Sequence, residues 1–241
     1  MKKSILFLAA FLMVLSTANA QWWSSEKIKG NGEMVTKTRS TGSYDGIQLV
    51  GSMNVELVAG NEGNIKVEAE SNLQEYILTE VKNGTLKIST EKGVNLNPTE
   101  DIKITVPFES LEEVALTGSG DIWNKDVIKA SSLKVQVTGS GDIMLNLDVK
   151  DLQGKITGSG DIKLKGKSEN FECNVTGSGD FEAFDLAATH VEAAVSGSGD
   201  IQVNARQSLT ARVSGSGDIQ YKGNPDKQDF KTFGSGSVES F

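Results

Sequence analysis

Leu116-Thr117-Gly118-Ser119-Gly120-Asp121-Ile122 decides the fold, because the chain keeps returning to it. Gly-Ser-Gly-Asp recurs at 118–121, 139–142, 158–161, 177–180, 197–200 and 215–218, and a degenerate seventh copy stands at Gly234-Ser235-Gly236-Ser237. Successive first glycines lie 21, 19, 19, 20, 18 and 19 residues apart, a period steady enough to mark a repeat architecture. Two positions before the first glycine stand Leu116, Val137, Ile156, Val175, Val195, Val213 and Thr232. Just after the aspartate column stand Ile122, Ile143, Ile162, Phe181, Ile201, Ile219 and Val238. Polar residues alternate with these apolar columns, as a strand with one buried face requires.

Each repeat therefore reads as two half-buried strands joined at a Gly-Ser-Gly-Asp corner. A less regular return stretch (126–132, 165–170 and 185–190) is read as the variable loop of each coil. One repeat cannot bury its own apolar face, whereas like strands stacked in parallel about 4.8 Å apart form a continuous core. The expected fold is all-β: a parallel β-helix or β-solenoid, right-handed by the usual crossover rule. A propeller is disfavoured, since each repeat is half the length of a blade of about 40 residues. The column preceding the glycines (Thr117, Thr138, Thr157, Thr176, Ser196, Ser214) suggests hydroxyls stacking from coil to coil.

Residues 44–241 read as a single solenoid domain, with irregular coils over 44–110 and regular repeats over 111–241. Gly51-Ser52-Met53-Asn54-Val55 is a worn copy of the corner, and Asn83-Gly84 between two alternating strands signals a type I′ hairpin. This N-terminal β region is expected to cap or extend the solenoid. Residues 21–43, polar and rich in Gly, Ser and Thr, read as a flexible leader.

Residues 1–20 read as an export signal: Lys2 and Lys3 precede an apolar run from Ile5 to Leu15, and Ala18-Asn19-Ala20 fits the cleavage rule. The run is too short for a membrane span of about 20 residues, and no later segment is apolar enough to provide one. Cys173 is the sole cysteine, so no internal disulfide holds the fold. With 24 basic against 32 acidic residues, the chain carries a formal charge of −8, which argues against a nucleic-acid partner.

Tyr44-Asp45-Gly46-Ile47, Asn83-Gly84-Thr85-Leu86-Lys87-Ile88 and the repeated Thr-Gly-Ser-Gly-Asp corner resemble the bacterial putative auto-transporter adhesin, or head GIN domain, family. The resemblance runs from about residue 44 to the C-terminus. It implies a β-helix-like fold and a place in the cell envelope or outside Gram-negative cells, and it carries no catalytic residues.

The aspartate column (Asp121, Asp142, Asp161, Asp180, Asp200, Asp218) is the sharpest candidate site. Aligned carboxylates repel by roughly 0.9 kcal/mol per pair in water, which Ca²⁺ would relieve. The alternative, preferred here, is that each aspartate accepts a turn N–H as in an Asx turn. Trp123 faces outward beside the first corner, where it would either contact a glycan or cover the end of the solenoid. His190, the lone histidine, has no evident nucleophile beside it, and no P-loop, nucleophile elbow or metal motif occurs.

These readings favour a non-catalytic exported protein, periplasmic, outer-membrane or secreted, that adheres to a surface glycan or protein. The flat faces could also pair with another protomer, giving a homo-oligomer. The alternatives are a carboxylate-dependent glycan-active β-helix enzyme and a purely structural envelope protein. No cofactor is expected, Ca²⁺ being the one candidate.

Overall fold

The computed structural model describes residues 26–241. The expected export signal and cleavage site of residues 1–20 lie outside the described residues, as does the start of the leader up to residue 25. The N-terminal part holds β1 (Glu26–Lys29), β2 (Met34–Ser40), β3 (Gly46–Gly51), β4 (Asn54–Ala59), β5 (Asn64–Glu70), β6 (Ile77–Lys82), β7 (Thr85–Thr90), β8 (Val94–Asn97) and β9 (Lys103–Phe108). The repeats supply β10 (Glu113–Gly118), β11 (Ile122–Asn124), β12 (Ile128–Gly139), β13 (Ile143–Gly158), β14 (Ile162–Gly177), β15 (Phe181–Gly197), β16 (Ile201–Gly215), β17 (Ile219–Lys222), β18 (Lys227–Gly234) and β19 (Val238–Ser240).

From β10 onward the strands pair in parallel and in the register of the sequence columns. Leu116 lies against Val137, Val137 against Ile156 and Ile156 against Val175, while Gly118, Gly139, Gly158 and Gly177 form their own file. The result is a β-solenoid of about seven turns. Its core is the stacked apolar columns, with Ile122, Ile143, Ile162, Phe181, Ile201 and Ile219 fully buried. Gly154 departs from an otherwise apolar column because the ring of Phe181 occupies the space: a Cβ there would sit 2.4 Å from the ring. Asn124 enters another apolar column but is satisfied, exchanging hydrogen bonds of 2.8 Å with the backbone N–H and carbonyl of Asn146.

The return stretches 165–170 and 185–190 are not loops, whereas in the first repeat the chain leaves the sheet at residues 125–127, where its extra length falls, before β12 resumes at Ile128. β13 to β16 run unbroken between corners, and differences in repeat length are absorbed by register shifts within the sheet, at Lys163/Lys165 and Ala183/Ala187 among others. In β13 the buried positions run 143, 145, 147, 149 and then 152, 154, 156. The phase changes at Lys150, which is out of register with both neighbouring strands and whose carbonyl accepts instead from the Ser168 hydroxyl at 3.1 Å, before pairing resumes at Asp151.

At each corner the backbones approach too closely for side chains. The Gly139 carbonyl accepts from the N–H groups of Ser159 and Gly160 in the next coil, at 2.8 and 3.0 Å. A Cβ on Gly160 would lie 2.1 Å from the Gly141 oxygen, and one on Gly158 (φ 124°) 2.4 Å from the Gly139 oxygen. The worn corner is a true corner: Gly51 pairs with Gly118, and its φ is 134°. Met53 stands there in the position of the second glycine, and its side chain is buried in the core. The hydroxyl column is exposed at the surface, and no hydrogen bond joins its members among the described residues.

The N-terminal part extends the stack in a way the column spacing does not reveal. The β3–β4 coil lies directly against β10 and β11 on one side and against β7 and β9 on the other. The chain thus makes one coil, builds the neighbouring one from residues 85–108, and returns on the opposite side to start the regular repeats. Asn83 (φ 52°) and Gly84 (φ 78°) form the expected hairpin turn between β6 and β7. Over its described part the leader is corrected. β2 pairs antiparallel with β5 along its whole length, and β1 pairs with β8.

This region shares the apolar core and adds individual buried or half-buried polar groups, of which the repeats have only Ser168 among the described buried residues. The Glu70 carboxylate accepts hydrogen bonds from Gly32 N–H (2.6 Å), Thr99 N–H (3.0 Å) and the Thr99 hydroxyl (2.6 Å). These bonds, led by the Thr99 hydroxyl, hold its pKa below the usual carboxylate value against the opposing effect of burial. Arg39 donates to the carbonyls of Ile77 and Gln74, and the buried Gln74 amide donates to Val35 and Val67.

Candidate functional site

The aspartates form a ladder that runs between coils and not within one turn. Asp161 N–H donates to Asp142 Oδ1 (2.9 Å), Asp180 N–H to Asp161 Oδ1 (2.8 Å), and Asp200 N–H to Asp180 Oδ1 (2.8 Å). Asp142 and Asp218 continue it onto Asp121 and Asp200, at 3.2 and 2.8 Å. Asn54 heads the ladder, accepting from Asp121 N–H at 3.2 Å, and the Ser237 N–H and hydroxyl close it on Asp218. The expected Asx turn is therefore replaced by an acceptor that reaches the next coil. The file of like charges still has a cost. Asp161 is pushed above the ordinary carboxylate pKa, first by desolvation and then by Asp142 and Asp180, with the Asp180 N–H pulling the other way. Among the described residues no group of three or more His, Cys, Asp or Glu side chains is arranged to hold a metal ion.

Trp123 does not cover an end of the stack. It pairs in register between Glu56 of β4 and Met144 of β13, half-buried on an outer flank. Lys103 Nζ lies 5.8 Å from its ring centroid and 3.0 Å from Glu56 Oε2. The hydrogen bond from Lys103, with a smaller contribution from Trp123, lowers the Glu56 pKa.

Below Trp123 the flank carries a groove of about 430 Å³, lined by Met144, Lys163, Glu182, Phe184 and Lys222 among others. Phe184 is the member that the sequence columns missed. Lys163 pairs with Glu182 and Lys165 with Asp185, so Phe184 is an extra residue in β15. This bulge turns its ring outward between the buried Ala183 and Leu186. The available signal was the 20-residue spacing of that repeat against 19 in the two before it. Phe184 packs against Phe241 with centroids 5.0 Å apart, and Lys222 Nζ lies 4.3 Å from the Phe184 centroid. Lys163 Nζ and Glu182 Oε2 form an ion pair of 2.5 Å across the middle of the groove.

A second groove, of about 410 Å³, lies on another flank. There Asp151, Asn170, His190 and Ser208 stack in one file. His190 Nδ1 is 2.8 Å from the Ser208 hydroxyl, a neighbour hidden by 18 residues of separation, while Asp151 accepts from Asn170 at 2.6 Å. A hydroxyl nucleophile needs a base oriented by a third group and donors aimed at the developing oxyanion. Here the carboxylate faces Asn170, and the neighbouring backbone N–H groups are committed to the sheet.

The fold and these flanks define a β-solenoid protein: a filled core, closely stacked corners and shallow outer grooves. A family model described as putative auto-transporter adhesin, head GIN domain, matches residues 43–225, and the chain belongs to that family. A Bacteroides fragilis structure described as a putative adhesin superposes with a TM-score of 0.84 at 26% identity, covering 89% of this chain and 100% of that one. A Parabacteroides distasonis structure described as a putative lipid binding protein gives 0.73 at 32% identity, covering 90% and 100%. A Parabacteroides merdae putative adhesin repeats the fold with a TM-score of 0.72 at 23% identity. None of the curated proteins matches. Among the described residues no helix is long and apolar enough to cross a membrane.

Proposed function

We propose that this chain is an exported, non-catalytic envelope protein of a Gram-negative bacterium that adheres through the outer flanks of its coils. The observation that carries this reading is the flank groove, where Trp123 and the bulged Phe184 are displayed on strands paired on both sides. Aromatic anchors on a rigid support lose little conformational entropy when they bind. The export signal read over residues 1–20 supports a place outside the cytoplasm. The aspartate column serves the stack as a hydrogen-bond ladder and needs no bound cation. A lipid-binding reading draws on the Parabacteroides distasonis neighbour, and its test is flotation with phospholipid vesicles.

The adhesive reading is tested by treating intact cells that express a tagged form of the chain with protease. We expect cleavage without permeabilisation, together with adhesion of protein-coated beads to epithelial surfaces. Protection until the outer membrane is opened would place the protein in the periplasm and overturn surface adhesion.

A further inference from the structure

We propose that the groove between Trp123 and Phe184 is a binding site for an uncharged oligosaccharide, which names the ligand class for the adhesive reading above and rests on it. Trp123, Met144, Lys163 and Glu182 occupy successive coils in one register file, and Phe184 lies on the same strand as Glu182. At about 4.8 Å per coil the two aromatic anchors are separated by roughly 14 Å along the solenoid. That span suits an extended chain of several sugar rings better than a single ring. The apolar C–H face of a pyranose can pack on the exposed part of each ring, which for Phe184 is what Lys222 and Phe241 leave uncovered, while the hydroxyls at its edge need hydrogen-bonding partners. The groove offers these in the Lys163–Glu182 pair between its anchors and in the Gln202 amide one coil beyond Phe184.

The same geometry disfavours the other occupants. An acyl chain laid along the groove would cover the Lys163–Glu182 pair and supply no hydrogen bond in return, a costly desolvation. A peptide could not add as a strand, because β13, β14 and β15 already pair on both sides. The groove's charged side chains nearly cancel, Lys163, Lys165 and Lys222 against Glu182 and Asp185, so on a chain of net charge −8 it offers a polyanion little attraction. A neutral polyhydroxylated chain meets neither obstacle.

The experiment is a screen of the full-length exported protein against immobilised neutral oligosaccharides built from glucose, mannose, galactose and N-acetylhexosamines. Titration by tryptophan fluorescence follows for any sugar retained. We expect Trp123→Ala and Phe184→Ala each to weaken binding about tenfold or more, as loss of an aromatic anchor does. Trp123→Phe should keep most of the affinity, and Lys134→Ala, outside the groove, should change nothing. Circular dichroism melts establish that each variant is folded. Retention of no neutral sugar, or sugar binding indifferent to both alanine variants, overturns the proposal. So does Trp123-dependent flotation with phosphatidylcholine vesicles. If coated beads still adhere after the target surface is stripped of glycans, and Trp123→Ala beads adhere equally well, the glycan site fails while the adhesive reading stands. If beads do not adhere at all, the adhesive reading fails first.

Discussion

The coils from Glu113 onward and the segment 26–108 use the same alternation of buried and exposed residues, yet different forces hold them. In the regular coils each corner repeats the same backbone contact, so the same residue is demanded each time. Every second glycine from Gly120 onward faces the carbonyl of the preceding corner at about 2 Å from where a Cβ would stand. Met53 is the exception because no Gly-Ser-Gly-Asp corner lies beyond it: its neighbouring coil, β7 and β9, has residues 91–102 there instead. Beyond the worn corner at Gly51, the segment 26–108 repeats no such contact and adds single groups such as Glu70, Arg39 and Gln74. Regularity removes the freedom to vary a residue, and irregularity concentrates stability in a few side chains.

The strongest way to break this contrast is a methyl group at a corner. Gly160→Ala should cost about 3 kcal/mol, since the obstructing atom is backbone and cannot swing aside. For a chain of this size that lowers Tm by roughly 10 °C. Gly93→Ala, at φ 85° with open space around it, should cost only the left-handed backbone strain of about 1 kcal/mol. Equal melting temperatures for the two variants would mean that the corners breathe enough to admit side chains.

Next in size is Glu70. A carboxyl whose folded pKa lies below its unfolded value contributes stability that is present above the unfolded value and lost as pH falls through the folded one. Glu70 is of this kind, so the N-terminal region should loosen as pH drops below about 4.3. Amide exchange at Gly32 and Thr99, which donate to Glu70, should accelerate there before exchange in β13 to β15. Glu70→Ala should produce the same local opening at neutral pH. Uniform exchange across both regions would show that the stack opens as one unit.

How much of this was legible follows from the same contrast. Columns 18 to 21 residues apart can be aligned by eye, so the corners, the core positions and even the worn copy at Gly51 are readable. The partners of Glu70 lie 29 and 38 residues away with no period to link them, so nothing in the chain announces the bonds that hold it. The place of β3 beside β10, across 67 residues, is hidden for the same reason. Phe184 falls between these cases. The repeat length betrays an extra residue, but which side chain the bulge turns outward depends on local packing. The aspartates were legible as corner residues, while the direction of their hydrogen bonds required the neighbouring coil.

A smaller effect is expected at Asp161, with the opposite sign to Glu70. Its folded pKa is raised, so the stack gains stability as pH falls through that raised value. Asp161→Asn keeps an oxygen for the Asp180 N–H, as Asn54 does for Asp121, and removes the repulsion. It should melt at or slightly above the parent temperature at neutral pH. Asp161→Ala leaves the Asp180 N–H without its acceptor and should cost about 1–2 kcal/mol. If both variants were destabilised equally, the charge itself would be what the corner needs.

That result bears on the smallest expected effect, which is none: melts in millimolar Ca²⁺ and in chelator should coincide. Calcium takes six to eight oxygens. Each corner offers few free ones, because the Gly158 carbonyl already accepts from Ser178 and Gly179, and the Asp180 carbonyl from Ile162. The carboxylates hold N–H groups with Oδ1, so a bridging ion would have to compete with the ladder that keeps the coils in register. A calcium-dependent rise in Tm that chelator reverses and Asp161→Asn abolishes would show that the ion wins this competition. The aspartate column would then be a metal ladder laid over a hydrogen-bond ladder, and the stability of the regular coils would depend on the medium outside the cell.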